Sequence, residues 1–400
     1  MPTEPEVRSQ AGTYQLHWRD EYLDIRVDRL HTEKGGVYGE ILIRTTSPGY
    51  HPHIHGPVRF NLVSTTARRQ LTTHLNAVIA LDWSGILEQT CYRVVEAHRA
   101  GVPTIHIASH EMPESLGMRI DPILQEKQAA VFFGDGDSLK SYLATYLSVI
   151  THLGITHNGL TPEPGNVLFL DYETDADTFW ERINMISAGL GVGLPEGIYY
   201  RHEIESVVDD IAGIKHAVQE HAIDLVVVDS AAPATIEPEK AEYVIPFFRA
   251  LRSLDATTLT IAHQTKNAKG EYPFGSTFWR NLPRSNFHIK ADRHSEDVAV
   301  SLKHTKSNNG RRLKPLGFSF AFDDNGLVIT AASPGDYEEL AKDVPLRDRI
   351  KDALLRGMKT PEVLAEELGA PQDSIRKTLN RGKESLFMKY GNAWGVLQHE

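Results

Sequence analysis

The stretch "FFGDGDSLKS", residues 132–141, decides how the rest of the chain is read. A phosphate-binding loop follows G-x-x-x-x-G-K-[ST], and Gly134, Lys140 and Ser141 stand at that spacing, with Leu139 where the pattern has its second glycine. The segment follows the apolar run "AAVFF" and opens "KSYLATYLSVITHLG", so it is expected at a strand-to-helix turn. Such a turn aims unpaired backbone N–H groups and the positive helix end at an anion. Gly134, Asp135, Gly136, Asp137, Ser138, Leu139, Lys140, Ser141 and Tyr142 form the expected cradle. In it Lys140 neutralises the outer phosphates of ATP, and the Ser141 hydroxyl ligates Mg²⁺. If position 139 needs positive φ, leucine costs about 1–2 kcal/mol there. Its side chain is then expected to turn away from the phosphates and into the domain.

Outward from the loop, strand and helix alternate. "NVLFLDYE" precedes "DTFWERINMISAGLG", and "SVVDDIAGIKHAVQEHA" precedes "IDLVVVDS", a nearly continuous apolar run suited to a strand buried on both faces. "AEYVIPFFRALRSL" and "TTLTIAH" add a further helix and strand. The expectation is an α/β fold, a doubly wound sheet with its ligand at the carboxyl ends of the strands.

Three further strand ends carry chemistry. Asp171 and Glu173 follow "NVLFL", expected beside the phosphate loop, where a carboxylate can orient and polarise an attacking water. Helix capping by Asp171, Thr174 or Asp175 is the competing reading. Asp229 ends the buried strand and can hold the water shell of magnesium, while His263 and Gln264 end another and can sense a γ-phosphate.

The order of these four elements resembles the RecA-like P-loop ATPase core. Within that superfamily it is most similar to the hexameric replicative-helicase branch, the plasmid RepA-type and DnaB-type ATPases and their phage and prophage relatives. The resemblance covers about residues 115–332. It implies Glu173 as the catalytic base, Asp229 and Ser141 as magnesium residues, and Gln264 as the sensor. It also implies a homo-oligomer, a hexameric ring, with ATP sites between subunits and loops facing a central channel. A DNA helicase or translocase acting in replication is the expected function. The alternative is a DNA-binding initiation or regulatory factor with a degenerate nucleotide-switch site.

"TKNAKGEYPFGSTFWRNLPRSNFHI" strings Lys266, Lys269, Arg280 and Arg284 with Phe274 and Trp279. Cations meet phosphate oxygens and aromatic faces stack on unpaired bases, so the loop suits single-stranded DNA; a solvated loop with buried aromatic anchors is the bland reading. "VAVSLKHTKSNNGRRLKPLGFSFAF" holds Lys303, Lys306, Arg311, Arg312 and Lys314 and no acidic residue. The family resemblance implies a cationic finger from this region reaching the neighbour's ATP, Lys306 first and Lys303 second, with Arg311 and Arg312 free for DNA. A basic turn between two strands is the competing reading.

Residues 1–114 read as a small N-terminal α+β accessory domain, with "YLDIRV" and "GEILIRT" as strands and residues 66–100 as a helical stretch. "GYHPHIHG" sets His51, His53 and His55 at alternate positions, but its proline and glycine favour an exposed loop over a metal site. Residues 115–335 form the expected ATPase domain. Residues 343–400 show three short helices and a closing hairpin, the outline of a winged helix-turn-helix. Its third helix carries Arg376, Lys377 and Arg381 for duplex DNA, or else serves as a docking module.

Composition bounds the partners. A net charge of -11 over 400 residues excludes a chain that coats nucleic acid with its whole surface, so DNA contact must be local. The lone Cys91 cannot form an intramolecular disulfide. No apolar run reaches the roughly 18 residues of a membrane span, and no signal peptide opens the sequence; a cytoplasmic protein with no membrane partner is expected.

Overall fold

A computed structural model of the protein describes residues 2–10, 12–101, 104–109, 117–265, 272–293, 297–323 and 326–397. The chain divides into two units, Met1–Ser115 and Leu116–Glu400.

In the first unit, alternating apolar residues build an antiparallel sheet in chain order: β1 (Glu6–Gln10), β2 (Thr13–Trp18), β3 (Leu23–Glu33), β4 (Gly36–Thr45) and β5 (His53–Asn61). One face, with Leu16, Trp18, Ile25 and Val27, buries against α1 (Thr65–Asn76) and α2 (Trp83–Ala100) through Leu71, Leu75, Trp83 and Leu87. The helical stretch expected over 66–100 is therefore two helices. The first ends at Asn76, and Asp82 starts the second by accepting the Gly85 N–H at 3.0 Å. The histidine segment also differs from the expected loop, because His53 and His55 lie on β5. Among the described residues, no group of three or more His, Cys, Asp or Glu side chains is arranged to hold a metal. Cys91 is buried in this core, and burial pushes its thiol up to about 11.

The second unit is built on a nine-stranded sheet. A small sheet of β6 (Met118–Asp121), β7 (Leu124–Gln125) and β9 (Thr161–Pro162) flanks the entry to β8 (Ala129–Gly134). Then come α3 (Lys140–Leu153), β10 (Asn166–Asp171), α4 (Ala176–Leu190), β11 (Ile198–His202), α5 (Ile211–Glu220) and β12 (Ile223–Asp229). The short α6 (Ala231–Ala234), α7 (Ala241–Arg252), β13 (Thr257–His263), α8 (Phe278–Asn281) and β14 (Ser285–Asp292) complete the parallel part. β15 (Val298–Ser307), β16 (Leu316–Asp323) and β17 (Gly326–Ala332) extend it antiparallel.

The strand order is β11-β10-β12-β13-β8-β14-β15-β16-β17. The two-residue period splits each central strand between two cores. Phe132, Val227 and Ile261 face α3 and α4, while Val131, Phe133, Val226 and Val228 face α5 and α7. Burial on both faces accounts for the unbroken apolar run of β12. The order corrects one expectation: β10 is not beside β8, since β12 and β13 stand between them.

After β17, α9 (Glu338–Ala341) leads to α10 (Leu346–Leu355), α11 (Pro361–Glu367), α12 (Gln372–Arg381) and a hairpin of β18 (Phe387–Tyr390) and β19 (Ala393–Val396). Ile350, Leu364, Ile375, Leu379, Phe387 and Trp394 form its core. Thr360 caps α11 with Pro361 in the first turn, and Gly369 turns the chain toward α12 at φ 56°. No helix among the described residues is long and apolar enough to cross a membrane.

Candidate nucleotide site at the carboxyl end of the sheet

β8 delivers the chain to the loop at Gly134, where a Cβ would stand 2.2 Å from the Ile289 carbonyl oxygen of β14; only glycine fits between the strands. Asp135, Gly136 and Asp137 are exposed, and Ser138 is buried with its hydroxyl donating to the Asp135 carbonyl at 2.8 Å. Leu139 occupies the left-handed region at φ 57°, ψ 27°, immediately before α3. Its side chain packs on the core beneath α3. The loop therefore keeps the conformation glycine favours, at the backbone cost expected for leucine, and directs the added side chain inward.

Lys140 is buried in the loop. Its Nζ donates to the Gly134 carbonyl at 3.2 Å, to the Ser138 hydroxyl at 3.1 Å and to the Asp135 carbonyl. Burial lowers its pKa, against the opposing pull of Asp229, Glu173, Asp135 and Asp137. The Ser141 hydroxyl, beside Asp229 at the sheet end, pulls the pKa of that carboxyl down. Asp229 is 2% exposed, and burial, with Glu173 and Asp171 nearby, pushes its pKa up to about 6. Its Oδ1 is buried without a hydrogen-bond partner, and so is a terminal nitrogen of Arg182 on α4. A buried, unpaired carboxylate oxygen beside a serine hydroxyl fits Mg²⁺, which takes few protein ligands and keeps water and phosphate oxygens for the rest of its shell. Asp229 and Ser141 would hold the ion, and its charge would offset that gathering on the phosphates.

The loop after β10 resolves the choice between its two acids. Asp171 is buried, and its carboxylate accepts the N–H groups of Glu173 and Thr174, each at 2.9 Å, and the Thr174 hydroxyl at 2.5 Å. It shapes the turn, while Asp175 caps α4 by accepting the Thr178 N–H at 2.8 Å. Glu173 crosses over the end of β12, where it accepts the Ser230 hydroxyl and lies 3.7 Å from His263 Nε2. The neighbouring His263 imidazole leads the effects that lower its pKa, so the carboxylate stays ionised in neutral solution. Gln264 ties itself to the loop strand, its N–H donating to the Gly134 carbonyl at 3.1 Å.

Sequence reasoning missed four groups here. Ser230, directly after Asp229, was legible as the polar residue closing an apolar strand. His288 meets Gln264 only through strand pairing. Arg293, at the end of β14, donates to the Asp137 carbonyl. Arg182 stands with its guanidinium carbon 5.5 Å from the centre of the Tyr142 ring. Tyr142 itself packs edge-on against Phe322, with ring centres 5.4 Å apart, so its side chain is engaged away from the phosphate cradle expected for it.

The residues expected to meet DNA separate. Trp279 is a correction: it is 1% exposed, packs on Phe247 and Phe248 and donates to the Pro238 carbonyl, so it anchors a core and cannot stack on a base. Lys266 and Lys269 lie outside the described residues. Arg280 is exposed over the Tyr272 ring at 4.7 Å, and Arg284 is exposed with its Nε donating to Gln128. Arg311 and Arg312 are exposed between β15 and β16. On α12, Arg376 pairs with Glu362 at 2.8 Å, while Lys377 and Arg381 face solvent. Lys303 pairs with Asp343 at 2.8 Å, and Lys306 donates to the carbonyls of Asn281 and Pro283. Neither lysine reaches the phosphate loop of its own chain.

Residues 96–269 match the family described as AAA domain. With the loop and sheet order, this supports the coarse assignment. Over residues 116–269 the second unit is similar to a P-loop ATPase core. No curated protein matches the chain. Among solved structures it is similar to the crystal structure of the KaiC-like protein PH0186 from the hyperthermophilic archaeon Pyrococcus horikoshii OT3. That similarity has 15% identity and a TM-score of 0.37, and covers 53% of this chain and 93% of that one.

Proposed function

We propose that the protein is a Mg²⁺-dependent ATPase that assembles into a ring, a hexamer, and uses hydrolysis to move along or open DNA during replication. The observation that carries the ATPase reading is the convergence of Lys140, the Ser141–Asp229 pair, Glu173 and Gln264 on one end of the sheet. In this reading Lys140 holds the phosphates and Glu173 takes a proton from the attacking water. Gln264 registers the γ-phosphate. A ring would place the cations of β15, Lys306 or Lys303, at a neighbour's phosphates once they leave their present partners.

DNA contact is supported by local, exposed cations in an acidic chain. Arg280, Arg284, Arg311 and Arg312 suit a single strand, and the three helices and hairpin of residues 343–400 suit a winged helix whose Arg376, Lys377 and Arg381 meet duplex DNA. ATP turnover stimulated by single-stranded DNA and lost in Lys140→Ala, with closed rings in negative-stain images, is the expected result. A monomer without turnover overturns it.

The departure from the loop pattern at Leu139, where the second glycine is expected, supports a second reading, a DNA-binding initiation or regulatory factor whose site holds ATP more than it consumes it. That protein would bind duplex DNA through residues 343–400 and would not unwind it. Duplex binding that survives deletion of this segment counts against that reading.

A further inference from the structure

We propose that His288 is a positioning residue for hydrolysis, setting which end of the Gln264 carboxamide is available to the nucleotide. The inference rests on the reading of Gln264 as the group that meets the γ-phosphate. His288 lies on β14 opposite Phe133 of the loop strand, and it is 2% exposed. Its ring stacks on Phe133 with centres 5.0 Å apart and planes 23° from parallel. Its Nε2 stands 2.6 Å from Gln264 Oε1. The Gln264 main chain is fixed as well, through its N–H to the Gly134 carbonyl at 3.1 Å. The residue is thus held at two points, one on β8 and one on β14.

A carboxamide has an acceptor end and a donor end, and they act oppositely on an anion. When His288 is neutral with its proton on Nε2, it donates to Oε1 and leaves the amide NH₂ as the free end, a donor to phosphate oxygens. The reversed amide would present its oxygen to the phosphate and repel it. Phe133 holds the plane of the imidazole, so the strand that carries the phosphate loop also fixes the donor that orients the sensor.

The test is a double-mutant cycle on the full chain, with turnover, ATP affinity and ADP affinity measured separately. His288→Phe keeps the stacking ring and removes the donor. It is expected to lower kcat about tenfold with KM and ADP affinity changed less than about twofold. Gln264→Ala should lose a similar factor, and His288→Phe in that background should add less than about twofold. His288→Gln, which supplies a donor again, should recover part of the loss. Unchanged kcat in His288→Phe, or full multiplication of the two losses, overturns the proposal. A merely structural role would instead lower Tm and ADP affinity together with kcat in both backgrounds. Absence of turnover in the wild type would count against the ATPase reading instead. The ratio of ATP to ADP affinity then carries the test: it should fall toward one in His288→Phe, and an unchanged ratio overturns the inference.

Discussion

The two ends of the central sheet handle charge in opposite ways. At the carboxyl end, Lys140 lies among the carboxylates of Asp229, Glu173, Asp135 and Asp137, so cation and anions share one cluster. At the amino end, Arg280, Arg284 and Lys306 gather with no carboxylate partner among the described residues. The Lys306 pKa is lowered by burial and then by these two guanidinium groups. On the proposed function the first arrangement suits a small ligand that enters with its own counter-ion, and the second an external anion.

The largest effect is expected from breaking the balanced end at its cation. Lys140→Ala should reduce ATP turnover by about 10³-fold or more, since a buried phosphate contact is lost from the transition state. Nucleic-acid binding measured by anisotropy should survive it. Glu173→Gln keeps the shape and removes the proposed base, so on that reading turnover should fall about 10²-fold while ATP affinity is retained.

Asp229→Asn separates stability from function. The Asp229 carboxyl has a folded pKa of about 6 against an ordinary 3.8. A raised carboxyl pKa gives stability that is fully present below the unfolded value and lost as pH rises through the folded one. At pH 8 the buried charge therefore costs on the order of 2–3 kcal/mol. The asparagine variant should abolish Mg²⁺-dependent turnover yet resist urea better than the wild type at pH 8. That advantage should shrink as pH falls through 6 and vanish near 4. Lower stability of the variant at pH 8 would break the account of the balanced end.

At the unbalanced end, Arg280→Ala with Arg284→Ala should weaken single-stranded DNA binding by about 1–2 kcal/mol and reduce its log–log salt slope by about 1–2. Basal turnover without DNA should be unchanged. The smallest effect is expected at Leu139. Glycine there would relieve about 1 kcal/mol of left-handed strain but lose a comparable amount of packing, so net stability should shift by less than about 1 kcal/mol. ATP affinity and turnover, measured side by side, then report whether the loop shape alone matters.

Local signals accounted for much of the site. An apolar strand followed by a glycine turn and Lys140-Ser141 marks a phosphate loop from spacing alone, and the strand ends at Asp229 and just before Gln264 were legible as ends. Other assignments needed pairing that sequence does not encode locally. Asp171 and Glu173 are two residues apart, and only the turn decides that Asp171 holds it together while Glu173 reaches Ser230. Trp279, read among cations as a stacking surface, is held by Phe247 and Phe248, a contact more than thirty residues distant in the chain.

The sequence by itself determined the alternation of strand and helix, the place of the loop and the sign of the charge near each motif, because these follow from period, spacing and composition. Only the tertiary structure decided which strand lies beside β8, which lysines already have partners, where the Leu139 side chain goes and that His288 meets Gln264. Those are properties of neighbours brought together by sheet order, and a strand's neighbours in space are not its neighbours in the chain.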